Sequence, residues 1–227
     1  MLSQTLARTP SFKSSIKPAP LPPAAHELSG AVDLMGAQMS FARNAEIYGE
    51  GEAADYLYKV ISGTVRTYKL LADGRRQVGG FYLAGDIFGL ETSETHTFSA
   101  EAIVECKVLV IKRSSLMALA ERDHDVARQL WTLTGGELRR VQDHILLLIK
   151  SAQERVASFL IEMADRVAAG NAVELPMSRQ DIADYLGLTI ETVSRTLSHL
   201  ESQSAIELSS SRRIVLRNPS ALRRLNA

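Results

Sequence analysis

The sequence predicts an α+β chain in which an antiparallel β-barrel comes first and helices follow. Three observations carry this. Between Ala37 and about Lys112, short strand-like runs alternate with Gly and Asp-Gly punctuation, the spacing of an all-β sandwich or barrel. After Lys112 the turn signals stop, and a long proline-free stretch carries apolar residues at helical intervals. Near the C-terminus two short helical patterns meet at Gly187, and a hairpin pattern follows them.

Composition bounds the function before any motif is read. The chain has 227 residues, 45% hydrophobic and 23% charged, which is ordinary for a soluble globular protein. No apolar run approaches the roughly 18 residues of a membrane span; Ile145 to Ile149 is the longest. The single cysteine, Cys106, excludes an internal disulfide framework, a Cys-based zinc site and a four-Cys iron–sulfur cluster within one chain, and fits a reducing, cytoplasmic compartment. Lys+Arg 26 balances Asp+Glu 26, so bulk charge argues neither for nucleic acid nor for a membrane surface. Any such partner has to be argued from local pattern.

Residues 1–30 read as a flexible arm. Five of the seven prolines (Pro10, Pro18, Pro20, Pro22, Pro23) lie there amid Ser and Ala, no acid precedes Glu27, and no continuous apolar segment suggests a secretory signal. The barrel is expected over residues 31–122. Tyr56 to Ile61 and Thr64 to Leu70 flank Ser62-Gly63, and Asp73-Gly74 predicts a two-residue type I′ hairpin turn returning through Gln77 to Leu83. Phe98 to Val104 and Lys107 to Ile111 supply further strands.

Residues 123–151 are expected to form one long helix. Trp131, Thr134, Leu138, Val141, Ile145, Leu148 and Ala152 are spaced alternately by three and four, which puts them on one stripe, a coiled-coil-like seam suited to a homodimer. An internal core helix is the competing reading of the same periodicity. Gly135-Gly136 predicts a bend or fraying, since each glycine costs roughly 1 kcal/mol inside a helix. A second helix, Ala152 to about Ala168, should stop at Gly170.

The most informative segment lies in residues 152–227. Ser178 followed by Asp181 has the form of a capping box that starts a helix at Arg179. Gly187 permits the left-handed turn that ends it, and Thr189 can cap a new helix running to about Ser202. Val193, Leu197 and Leu200 face inward on this helix, leaving Glu191, Thr192, Ser194, Arg195 and Ser198 outward. Two short helices joined so tightly form a helix-turn-helix, and the hairpin Ala205 to Leu216 stands where a wing belongs. From Ser178 onward seven arginines face five acids, a local excess of two cations, with Arg212, Arg213 and Arg217 clustered where phosphates would pass.

Gly187-Leu188-Thr189-Ile190-Glu191-Thr192-Val193-Ser194-Arg195, preceded by Arg179-Gln180-Asp181-Ile182-Ala183, resembles the winged helix-turn-helix of the cyclic-AMP receptor protein/FNR superfamily in its FNR/FixK-type branch. Gly49-Glu50, Tyr58, Val60, Gly63, Val65 and Gly85-Asp86-Ile87-Phe88-Gly89 resemble that superfamily's jelly-roll, cyclic-nucleotide-binding-like domain, so the likeness spans roughly residues 31 to 225. The resemblance implies a homodimeric transcription activator that binds double-stranded DNA and works with RNA polymerase, its long helix forming the dimer interface. Glu191, Ser194 and Arg195 match the base-reading triplet, which implies TTGA-type half-sites. Arg suits guanine O6 and N7, Glu suits cytosine N4, and Ser can meet an adenine or a thymine methyl. Ser178, Arg179, Thr189, Thr192, Ser198, Arg212 and Arg213 are the expected backbone contacts. FixK kinship further implies low-oxygen respiration or nitrogen-fixation genes as targets.

No cofactor and no metal are expected. Relatives that bind cyclic AMP place an Arg-Ser pair on its phosphate, whereas the matching stretch here, Glu94 to Ala100, has no Arg. Cys106 reads as a small buried hydrophobe, with a redox role as the alternative. His26, His96, His124, His144 and His199 are scattered, which argues against a cupin-like metalloenzyme. A regulator gated by an unrecognised effector in the barrel is the other open reading.

Overall fold

The computed structural model describes residues 35–167 and 171–225. The arm expected at residues 1–30 and the helix stop expected at Gly170 lie outside the described residues. Strands β1 (Ala37–Phe41), β2 (Glu46–Tyr48), β3 (Tyr56–Ser62), β4 (Thr64–Leu70), β5 (Arg76–Leu83), β6 (Ile87–Phe88), β7 (Ser99–Ala102) and β8 (Cys106–Lys112) form two antiparallel sheets, ordered β1-β8-β3-β6 and β2-β7-β4-β5. Apart from the β4–β5 hairpin, which stays in one sheet, consecutive strands alternate between the two sheets in the manner of a jelly roll. Tyr48, Tyr58, Val60, Val65, Tyr82, Phe88, Cys106 and Val108 fill the space between them.

The Asp73-Gly74 expectation is corrected in its turn type. Leu70 pairs with Arg76, Gly74 N–H donates to Leu71 C=O at 2.9 Å, and Leu71 N–H donates to Arg75 C=O at 2.8 Å. The left-handed conformation falls on Gly74 (φ 82°), not on Asp73, so the connection is a three-residue loop closed by a glycine bulge. A second irregularity lies in the same hairpin. Thr67 pairs with Gly80 but Tyr68 pairs with Val78, so Gly79 is an extra residue in β5. The insertion puts Val78 and Phe81 into one apolar cluster and leaves Tyr82 in another.

Helix α1 (Arg113–Ala120), which no sequence signal announced, leads into α2 (His124–Leu148). Asp123 caps α2, its carboxylate accepting from the N–H groups of Asp125 and Val126 at 2.9 and 3.3 Å. The helix runs unbroken through Gly135-Gly136, without the fraying expected there; helical hydrogen bonding on both sides outweighs two weak positions. Trp131 (81% exposed), Thr134, Leu138, Val141 and Ile145 are all exposed, so the stripe is not part of the protomer's own core. Leu148 differs from the rest. It is half-buried, with Cδ2 only 3.4 Å from where a Cβ on Gly187 would stand, while Leu147 turns into the core.

Helix α3 (Ala152–Val167) then packs on the C-terminal unit, made of β9 (Ala172–Glu174), α4 (Arg179–Leu186), α5 (Ile190–Ser202), β10 (Ile206–Leu208), β11 (Arg213–Leu216) and α6 (Pro219–Leu225). The three strands form one antiparallel sheet, β10-β11-β9. Val78, Phe81 and Ile103 of the jelly roll join the core built by α3, α4 and α5, so the two halves share apolar packing. The long helix is tied to the jelly roll as well. Tyr82 Oη donates to Glu137 at 3.1 Å, and the Arg140 guanidinium lies 4.2 Å from the centre of the Tyr82 ring.

Candidate nucleic-acid interface

The two short helices are fixed at both ends by their own sequence. Ser178 N–H donates to Asp181 Oδ2 at 3.0 Å, and Asp181 N–H donates to Ser178 Oγ at 3.1 Å, a complete capping box. Gly187 ends α4 with φ 61° and ψ 40°, and Leu188 N–H donates back to Ala183 C=O at 3.0 Å. Thr189 Oγ1 accepts from Thr192 N–H at 3.2 Å and starts α5. Ala183, Val193 and Leu200 are fully buried where the helices meet, which leaves the opposite side of α5 free to project.

Glu191, Arg195 and Ser198 are exposed on that side, with Thr192 and Ser194 half-buried beside them. The Glu191 carboxyl is held below the usual carboxylate range by its own backbone N–H first, by the Thr189 hydroxyl next, and by Arg195 one turn on. It therefore stays an acceptor. Arg179 Nη1 donates to Ser194 Oγ at 3.3 Å, so the first residue of α4 lies against α5. Ser178 and Thr189 already use their hydroxyls as caps, and Thr189 Oγ1 also sits 3.1 Å from Thr192 Oγ1.

In the wing, Leu208 pairs with Ile214, and the connecting residues are closed by Arg213 N–H donating to Ser210 Oγ at 3.0 Å. Arg213 is exposed and Arg212 is half-buried at the edge of an open cleft of about 440 Å³, which Arg166, Glu174 and Pro176 also line. This cleft lies between jelly roll and wing, not inside the jelly roll. Arg217 does not join the two arginines, because its guanidinium is engaged by Glu207.

Sequence reasoning missed a charged cluster behind the helix-turn-helix. Arg66 of β4 and Arg76 of β5 both reach Asp181 Oδ1, at 2.7 and 2.6 Å. Arg66 also meets Glu101 at 2.8 Å, and Arg76 meets Asp184 at 2.7 Å. Burial raises the Asp181 carboxyl, but the bonds from Ser178 and the two guanidiniums outweigh it and leave the group below the usual carboxylate range. An arginine inside the buried run Thr64-Val65-Arg66-Thr67 was the available signal, since such a charge has to be paired.

The stretch matching the cyclic-nucleotide phosphate site, Glu94 to Ala100, holds no Arg or Lys. His96 is buried there, stacked on Tyr48 with ring centres 3.6 Å apart, and its Nδ1 is 2.7 Å from Glu91. A carboxylate in that place is the wrong charge for a phosphate, so these residues do not fit a cyclic nucleotide. Cys106 is buried in β8, where burial pushes the thiol up, and Gly63 presses on it so closely that a Cβ there would come within 2.5 Å of its Cβ. Both conditions disfavour thiolate chemistry. Among the described residues no helix is long and apolar enough to cross a membrane.

Comparison with known proteins agrees with this architecture. Residues 38–123 match the cyclic nucleotide-binding domain family, and residues 154–225 match the Crp-like helix-turn-helix domain family. The nitrogen fixation regulation protein FixK of Azorhizobium caulinodans is 54% identical over 202 residues, covering 86% of this chain and 82% of that protein. The fumarate and nitrate reduction regulatory protein of Escherichia coli K12 is 31% identical over 207 residues, covering 88% of this chain and 82% of its own length. The solved structure of FixK2 from Bradyrhizobium japonicum superposes with a TM-score of 0.82 at 54% identity, covering 85% of this chain and 98% of that one. A jelly roll, a long helix and a capped helix-turn-helix with a wing, in this order and with these relatives, place the chain in the cyclic-AMP receptor protein/FNR superfamily of transcription regulators, in its FNR/FixK-type branch.

Proposed function

We propose that the chain is a cytoplasmic, homodimeric transcription activator that binds a TTGA-type palindrome without a small-molecule effector and recruits RNA polymerase. The observation that carries this is the projecting pair Glu191 and Arg195 on a helix whose other side is wholly buried. An acid set beside anionic DNA is unfavourable unless it accepts from a base, and cytosine N4 is such a donor. Arg195 then reads guanine, and Ser194 completes the triplet. Ser178, Arg179, Thr189, Thr192, Ser198, Arg212 and Arg213 hold the phosphates, Ser178 and Thr189 chiefly through the helix starts they cap. Residues 31–122 form the jelly-roll domain, 123–151 the dimer helix and 152–227 the DNA-binding domain.

Trp131, Thr134, Leu138, Val141, Ile145 and Leu148 form the dimer seam, supported by the exposure of five of them along one helix. A two-fold pairing there puts the recognition helices about 34 Å apart, in successive major grooves. The poor fit to a nucleotide phosphate supports effector-free binding, with activity set by abundance or modification. Cys106 acts as packing. The relatives' names support nitrogen-fixation or low-oxygen respiratory genes as targets. Footprinting on a TTGA palindrome tests the reading: two protected half-sites are expected with no ligand added. Protection that requires a cyclic nucleotide, or none at all, refutes it.

A further inference from the structure

We propose that Asp181 is a positioning residue that fixes the tilt of the recognition helix through Arg66 and Arg76, and so sets the half-site spacing the dimer accepts. The proposal rests on the reading of a dimer on palindromic DNA.

The Asp181 carboxylate is 3% exposed, and its two oxygens have separate tasks. Oδ2 accepts from the backbone N–H and hydroxyl of Ser178, at 3.0 and 2.7 Å, which closes the start of α4. Oδ1 accepts, among the described residues, from the jelly roll alone, from Arg66 at 2.7 Å and Arg76 at 2.6 Å. One carboxylate therefore belongs at once to the DNA-binding unit and to the domain that carries the dimer helix. Two guanidiniums from neighbouring strands converge on it, and each is braced by a second acid, Glu101 for Arg66 and Asp184 for Arg76. A single pair would leave a swivel; two pairs arriving from different strands resist rotation about either.

Gln77 Nε2 adds a third tie, donating to Tyr185 C=O at 3.3 Å. The turn at Gly187 transmits the setting, because Leu188 N–H is bonded to Ala183 C=O and leaves α5 no independent hinge. In a two-fold dimer any tilt occurs twice, with opposite sense on the DNA, so it changes the distance between recognition helices directly. Base reading by Glu191 and Arg195 is a property of α5 alone and does not depend on the cluster.

The test compares full-length wild type with the Arg66→Met, Arg76→Met double variant. Affinity is measured on palindromes with fixed half-sites and spacers changed by one and two base pairs, and on one palindrome with a substituted half-site base. Wild type should prefer one spacer. The double variant should lose about tenfold of that preference, about 1.4 kcal/mol, while its discrimination against the substituted base is unchanged. Arg76→Lys, which keeps the charge, should retain most of the spacer preference. If the double variant does not fold as a dimer, Arg76→Met alone should show the same loss in smaller measure.

Unchanged spacer preference overturns the proposal, and so does a uniform loss of affinity with the preference intact. Tighter binding by the variant also overturns it, since the cluster would then restrain the helix from DNA. Wild type is measured first: if it has no spacer preference, the dimer-on-palindrome reading fails and takes this proposal with it.

Discussion

Leu138→Ala tests the proposed dimer seam. Leu138 is 59% exposed in the protomer, so alanine removes little that the single chain relies on, and alanine is the best helix former. Complete burial of a leucine side chain stabilises by about 1.5–3 kcal/mol, and a little over half of it remains to be buried by a partner. The methyl carbon that alanine keeps lowers the loss to about 1 kcal/mol per protomer. Two-fold symmetry removes it twice, and an incompletely closed cavity adds to it, giving about 2–3 kcal/mol per dimer. The dimer dissociation constant should rise about 30- to 150-fold, read by sedimentation equilibrium. Helix content by circular dichroism should not change. A wild-type chain that sediments as a monomer, or a variant with unaltered dissociation, would refute the assignment of this stripe to the dimer.

Arg195→Ala should cost about 1–3 kcal/mol in DNA binding, concentrated at one base pair per half-site; equal weakening on every sequence would make Arg195 a phosphate contact instead. Gly63→Ala should lower the thermal midpoint by about 5–15 °C, because Gly63 sits at φ 87° and an added Cβ would come within 2.5 Å of both Cys106 Cβ and Glu105 C=O. A near-neutral midpoint would mean that the loop relaxes. His144 packs 4.2 Å from the Tyr185 ring, and its pKa is lowered first by burial and then by the nearby Arg140 charge. The unfolded imidazole therefore takes a proton more readily than the folded one, so its contribution to stability is present above about pH 6.5 and lost as pH falls through the lower folded value. Melting curves from pH 7.5 to 5 should fall less steeply for His144→Phe than for wild type, and parallel curves would exclude His144 as a source of the slope.

Local signals account for most of what could be read from the sequence. Ser178, Asp181, Gly187 and Thr189 each act within four residues of their own position, so capping and turn chemistry placed α4 and α5 without tertiary information. The seam from Trp131 to Ile145 was legible because a helix repeats. Short strands such as β1 and β2 bury few of their residues and take their place from partners far along the chain, and α1 lies under no cap that a sequence announces. The same holds for the turn at Gly74, whose type depends on how the three-residue loop closes. Asp181 marks the boundary: its cap was readable three residues away, whereas its bonds to Arg66 and Arg76 join positions more than a hundred residues apart.

The extra residue in β5 has an architectural consequence. It brings Val78 and Phe81, three positions apart, to the same side under the helix-turn-helix, while Tyr82 keeps the other side and reaches the long helix through Glu137. One ribbon is thus the common mounting rail for the long helix and the helix-turn-helix. Any chimera that transplants the C-terminal half onto a foreign jelly roll has to import this strand with Gly79 in place. A donor strand of uniform alternation would offer the right chemistry to the wrong neighbour.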